Sequence, residues 1–195
     1  MSHVLTADGG TESLRVRIYD LDGRCVASHA EPYETKFMAG ARAEQNAEDW
    51  WSSLVTATQI CLKEANISGD AIDAMAYATT CCTVVALDKN GAPLRPALMW
   101  MDVRADKEAE AVLETGDQRL ILNGNGQGPV SAEWMIPKAL WLKRNEPKIF
   151  DDAVTICEYQ DYLTMRLTGE RCASLNNIGL RWHYANRDGG WASGI

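Results

Sequence analysis

No apolar run in this 195-residue sequence approaches the roughly 20 residues that cross a bilayer as a helix. The opening MSHVLTADGG also lacks the basic and apolar regions of a secretory leader. No membrane partner is expected, and the cytoplasm is the expected location. Positive charge is scarce: 19 Lys and Arg stand against 27 Asp and Glu, a formal net charge of -8. That balance opposes non-specific attraction to phosphodiester backbones or anionic lipid, so no nucleic-acid partner is expected either. The six cysteines (Cys25, Cys61, Cys81, Cys82, Cys157, Cys172) form no C-x-x-C pair, and the three histidines do not cluster with them. Zinc is therefore not expected, and in a reducing compartment these cysteines read as small hydrophobes. Low-complexity stretches and internal repeats are absent too.

What is present is patterned for an α/β domain. Hydrophobic residues make up 46% of the chain, enough for one buried core or a core with a small subdomain. SHVLTAD precedes a glycine turn, LRVRIYDLDG alternates apolar and polar residues and closes on a turn signal, and RCVASHAEPYETKF reads as a third strand. Three strands joined by short turns make an antiparallel meander. Over 46–65, Trp51, Leu54, Val55, Thr58 and Leu62 recur at the spacing of one helix face, with Asn46 as N-cap. DAMAYATTCCTVVALDKNGAPLR holds two apolar runs around TTCC and a turn at 88–91, PALMW is a further short strand, and MDVRADKEAEAVLE is helical. SAEWMIPKALWLKRNEPKIF reads as a helix with Pro137 near its start, and YQDYLTMRLTGE as another that Gly169 ends. The Gly- and Asn-rich segment 116–129 is a loop that either faces a ligand or serves as an exposed linker. After GLRWHYANRDGGWASGI the sequence stops where Trp191 would open a new element, which gives the expectation of an unfinished domain.

The glycine turn is chemically the most informative segment. Gly9 and Gly10 let backbone come close to a ligand, backbone N–H groups in such a corner form an anion-binding concavity, and the Thr11 and Ser13 hydroxyls add donors. Asp8 suits a phosphate neighbourhood when Mg²⁺ stands between them, and Arg15 would neutralise a transferring phosphoryl group. The same residues also fit a plain hairpin in which Asp and Thr satisfy local backbone groups. The stretch is neither a P-loop nor a G-x-G-x-x-G fingerprint.

Asp8, Gly10, Thr11, Ser13 and Arg15 match a D-x-G-T-x-S-x-R pattern that resembles the phosphate motif opening the FGGY-family carbohydrate kinases. The likeness continues in order. AEQNAEDWW resembles the family's E-Q-(D/N)-x-x-x-W-W segment, TVVALDKNGAPLRPALMWMDVRA its V-x-x-L-D-x-x-G-x-x-L-R-P-x-x-x-W-x-D-x-R block, and ALWLKRNEPKIF with DYLTMRLTGE its later helices. The resemblance implies an actin-like, ribonuclease H-like α/β domain over 1–195: a mixed sheet of three antiparallel strands followed by parallel ones, flanked by helices. It implies the N-terminal sugar-kinase domain, with the C-terminal nucleotide-binding domain absent from this sequence. A homodimer of the complete protein is compatible with it.

By the same resemblance the complete protein phosphorylates a sugar or polyol hydroxyl with ATP and Mg²⁺. Asp8 would organise the metal, while Gly10, Thr11, Ser13 and Arg15 would contact phosphates. The family's catalytic base, an aspartate in a later G-x-x-D motif, falls beyond residue 195, so no catalytic residue is assigned here and the chain alone is expected to be inactive. Cys81 and Cys82 occupy positions that contact substrate in the family. TTCC departs from the Met-His pair of xylulokinases and looks more like the D-A-T-C-S of ribulokinases, which favours a pentulose. Trp100, Asp102, Arg104 and Gln127 complete the expected sugar set. Plain alternatives stand beside these roles: Asp102 as cap of a helix starting at Val103, Trp100 as core, Asp161 at a helix start or in a buried hydrogen bond, and His183 as a structural histidine. The alternative function is a non-catalytic sugar-binding or regulatory module that retains the fold.

Overall fold

The computed structural model describes residues 2–122, 130–185 and 190–195. In chain order it contains β1 (His3–Gly9), β2 (Ser13–Asp20), β3 (Cys25–Pro32), β4 (Lys36–Met38), β5 (Arg42–Gln45), α1 (Ala47–Ala65), β6 (Ile72–Thr79), β7 (Val84–Leu87) and β8 (Ala97–Leu98). There follow α2 (Asp106–Glu114), α3 (Met135–Asn145), α4 (Pro147–Asp152), β9 (Thr155–Glu158), α5 (Tyr159–Thr168) and α6 (Leu175–Arg181). The chain forms two compact units, Met1–Thr35 with Asn46–Thr80, and Lys36–Gln45 with Cys81–Ile195.

The first unit is a four-stranded mixed sheet in the order β3-β2-β1-β6, antiparallel except that β6 runs parallel to β1. Alternation along β2 places Leu14, Val16 and Ile18 on one fully buried face, opposite Gly9, Ala7 and Leu5 of β1. Helix α1 packs on β2 and β3. It opens at Asn46, whose side chain accepts from the Glu48 N–H, and closes at Asn66 in the left-handed conformation. Its buried side is Ala47, Trp50, Leu54, Ala57 and Cys61, one step round from the expected stripe: Val55 is exposed. Small residues at 47, 57 and 61 seat the helix on the sheet, and a stripe drawn through large side chains alone missed them.

The second unit carries a five-stranded antiparallel sheet in the order β4-β5-β8-β7-β9. Val84, Ala86 and Leu98 from its centre meet Met135, Trp141 and Leu142 of α3. The β4–β5 hairpin was not anticipated; Gly40 and Ala41, both at positive φ, make its turn. The single helix expected over SAEWMIPKALWLKRNEPKIF is two, because the residue before a proline is excluded from the helical region and Glu146 stands at φ -131°, ψ 57° ahead of Pro147. Among the described residues no helix is long and apolar enough to cross a membrane.

Candidate functional site

In the first unit, the β1–β2 register sets Asp8 directly opposite Arg15, and directly opposed residues share a sheet face. Ser13, two positions before Arg15, lies on the same face. This is the face opposite Leu14, Val16 and Ile18, and both Asp8 and Arg15 are exposed on it. Among the described residues neither enters an ion pair. The Gly10 N–H donates to Ser13 O at 3.0 Å and its carbonyl accepts from the Tyr33 hydroxyl at 2.5 Å, while the Thr35 hydroxyl donates to Thr11 O at 3.3 Å. Neither positive φ nor a clash requires glycine at position 10, since an added Cβ would meet only Ser13 O at 3.4 Å. The bare backbone leaves room for a group from outside the fold. A free carboxylate, a free guanidinium and two hydroxyl-bearing residues around such a turn fit a metal-bound phosphate.

In the second unit, Cys82 departs from strand geometry with φ 63°. Its N–H donates to Glu158 Oε2 at 2.8 Å, and its carbonyl accepts from Lys138 Nζ at 3.0 Å. The same ammonium donates to Met99 O at 2.5 Å and Trp100 O at 3.3 Å. One buried cation thus ties the TTCC segment to the end of the PALMW strand. Lys138 lies on the apolar side of α3 with Met135, Trp141 and Leu142, and is 0% exposed; burial draws its pKa down to about 8. Glu158, at the end of β9, is pushed up to about 7 by burial, and its Oε1 has no partner among the described residues.

The Glu158 shift has a measurable consequence. A carboxyl whose pKa is raised from about 4.3 in the unfolded chain to about 7 in the folded one keeps its proton longer when folded, so stability falls as pH rises through that window. Glu158→Gln keeps an acceptor for Cys82 without the charge. Chemical denaturation at pH 4 and pH 8 is expected to show the variant gaining about 3 kcal/mol on the wild type between the two; parallel pH profiles would contradict it.

Asp102 does not cap a helix. The next helix begins at Asp106 with Ala105 as its N-cap, and Asp102 is 0% exposed. Its carboxylate accepts from Ala43 N at 2.7 Å, from Arg104 N at 3.0 Å, and from Arg104 Nε and Nη2 at 2.9 and 2.7 Å. Burial opposes its charge, but these donors outweigh it and hold the carboxyl below the usual range. Arg104 continues to Glu44 at 2.8 Å and lies 5.0 Å over the Trp141 ring. Arg95 joins Glu44 to Glu146.

Of the sugar set expected from sequence, Cys81 and Trp100 (38% exposed) face solvent, Cys82 is nearly covered, and Asp102 and Arg104 are buried against each other. Gln127 lies outside the described residues. Asp161 accepts from Glu158 N at 3.1 Å and Ser174 N at 3.1 Å, a capping role at the start of α5. His183 is buried with Nδ1 3.3 Å from Arg119 O. A cavity of about 300 Å³, lined by Leu87, Cys157, Asp161, Met165, Ile178 and Trp182 among others, contains none of the expected sugar residues. Lys138, Glu158 and Glu44 were not singled out from sequence. A lysine three residues after Met135 and four before Leu142, on an apolar helix side, was the available signal for the first.

The family model for the N-terminal domain of the FGGY family of carbohydrate kinases matches residues 3–193. The chain belongs to the FGGY family of carbohydrate kinases. It is 31% identical over 194 residues to a xylulose kinase of Streptomyces coelicolor, covering 98% of this chain and 37% of that protein. It is 30% identical over 192 residues to an FGGY carbohydrate kinase domain-containing protein of Homo sapiens, covering 93% and 34%. A solved xylulose kinase from Rhodospirillum rubrum matches with a TM-score of 0.84 at 26% identity, covering 98% of this chain and 39% of that one. This FGGY chain therefore spans between 34% and 37% of the length of those two curated relatives. The mixed sheet with flanking helices is the α/β fold that the resemblance implied.

Proposed function

We propose that this FGGY-family chain supplies the sugar- and phosphate-binding half of a cytoplasmic ATP-dependent kinase that phosphorylates a hydroxyl of a pentulose. The observation that carries the reading is the placement of Asp8, Ser13 and Arg15 on one sheet face around a glycine that the fold does not itself require. Xylulose kinases among the relatives favour a five-carbon ketose; the thiol-rich TTCC segment keeps ribulose beside xylulose as a substrate.

Asp8 would hold hydrated Mg²⁺, Arg15 would take charge from the terminal phosphate, and the Thr11 and Ser13 hydroxyls would fix phosphate oxygens. Bound Mg²⁺·ATP supplies the phosphoryl group and neutralises its charge. In the second unit, Cys81 and Trp100 would meet the sugar directly. Lys138, Glu158 and the Asp102–Arg104–Glu44 network would hold the backbone that presents them. No residue of this chain is assigned as the base that takes the proton of the attacking hydroxyl.

The test is saturation-transfer NMR of the chain with D-xylulose, D-ribulose, L-ribulose and glycerol, beside a coupled assay with Mg²⁺ and ATP. Transfer to one pentulose without turnover is expected. Transfer to no sugar would overturn the substrate reading, and robust turnover would overturn the division into halves.

A further inference from the structure

Adjacent side chains on an extended strand point to opposite faces, which would keep the sulfurs of neighbouring cysteines apart. Cys82 breaks that alternation. Its φ of 63° brings its Sγ to 3.8 Å from that of Cys81. The conformation is unfavourable for a residue with a side chain, and it is fixed from both sides by Glu158 on the N–H and Lys138 on the carbonyl. Cys81 is exposed, and Cys82 keeps 5% exposure beside it.

We propose that Cys81 and Cys82 form a dithiol site for trivalent arsenicals of the R–As=O class, on the segment that faces sugar in the reading above. The reaction balances without oxidation: two S–H bonds and the As=O bond break, two As–S bonds form, and the oxygen leaves with both protons as water. The geometry favours a bridging atom over a direct disulfide. Adjacent Cα atoms are about 3.8 Å apart across a trans peptide, short of the roughly 4.4 Å at which disulfide geometry usually begins. A metal needing three protein ligands is not served, because among the described residues no group of three His, Cys, Asp or Glu gathers for one. A monosubstituted arsenical needs only two sulfurs, its third valence being its own organic group. Cys81 is exposed and Cys82 nearly covered, so Cys81 is the attacking thiol and Cys82, whose thiol burial pushes up to about 12, closes the ring. Among the described residues no other two cysteine sulfurs are hydrogen-bond neighbours.

The experiment treats the folded chain with phenylarsine oxide and reads intact mass and remaining free thiols. One adduct per chain is expected, with two thiols lost, reversed by 2,3-dimercaptopropanol and not by an equal concentration of a monothiol. Cys81→Ser, an exposed position, is expected to abolish the monothiol-resistant adduct, whereas Cys25→Ser and Cys172→Ser keep it. An adduct that survives Cys81→Ser, or none in the wild type, would overturn the site. A bound pentulose is expected to slow adduct formation at least tenfold. An adduct that forms equally fast with every sugar present would leave the dithiol site standing and overturn the sugar-facing placement on which that clause rests.

Discussion

Asp102→Ala is expected to lower the unfolding free energy by about 3–5 kcal/mol, the range for removing one partner of a buried ion pair. The carboxylate is fully buried and answers four donors, two of them backbone N–H groups at Ala43 and Arg104. Its loss strands those donors and, among the described residues, leaves the Arg104 guanidinium with Glu44 alone as its carboxylate partner. Asp102→Asn keeps an acceptor and is expected to recover part of the loss. Denaturant melts of the three proteins at one pH decide the matter: a change below about 1 kcal/mol for alanine, the size of a surface pair, would contradict the network. A sugar-binding defect in Asp102→Ala therefore does not by itself mean sugar contact.

Lys138→Met is expected to cost about 3 kcal/mol and to loosen two segments together. The carbonyls of Cys82 and Trp100 lose the ammonium, while Met99 O keeps the Asp102 N–H. Hydrogen bonds to a charged donor contribute about 1.5–3 kcal/mol each, and removing a buried cation returns part of its desolvation cost. Hydrogen exchange at residues 80–84 and 99–102 should quicken in step. The pH dependence has a definite sign. The wild-type lysine releases its proton near pH 8 when folded but near 10.4 when unfolded, so the unfolded chain holds more protons between those values and wild-type stability rises there. The methionine variant lacks that rise, and the gap should widen above pH 8. An unchanged melting midpoint with unchanged exchange would contradict the clamp.

The antiparallel meander, the Asn46 cap and the Gly169 stop were legible because each rests on local chemistry: alternation, an N-cap side chain, a left-handed glycine. The shared sheet face of Asp8, Ser13 and Arg15 follows from their spacing along two paired strands. Lys138 and Glu158 were not legible, since their role comes from carbonyls and an N–H contributed by segments 38 to 76 residues away. The alternative that made Asp102 a helix cap fails for a related reason: an acid before a helical stretch looks like a cap, and only the return of Ala43 and Arg104 shows what it binds. The β4–β5 hairpin escaped because its strands are three and four residues long, too short to show a period.

The most direct measurement is a calorimetric titration of D-xylulose and D-ribulose into the wild-type chain and into Trp100→Ala, chosen because Trp100 is part-exposed. Saturable binding of one ketose, weakened at least tenfold by the substitution, is the expected result. Binding of neither ketose, or equal binding to both proteins, would contradict the assignment of this segment as the sugar-binding part of the kinase.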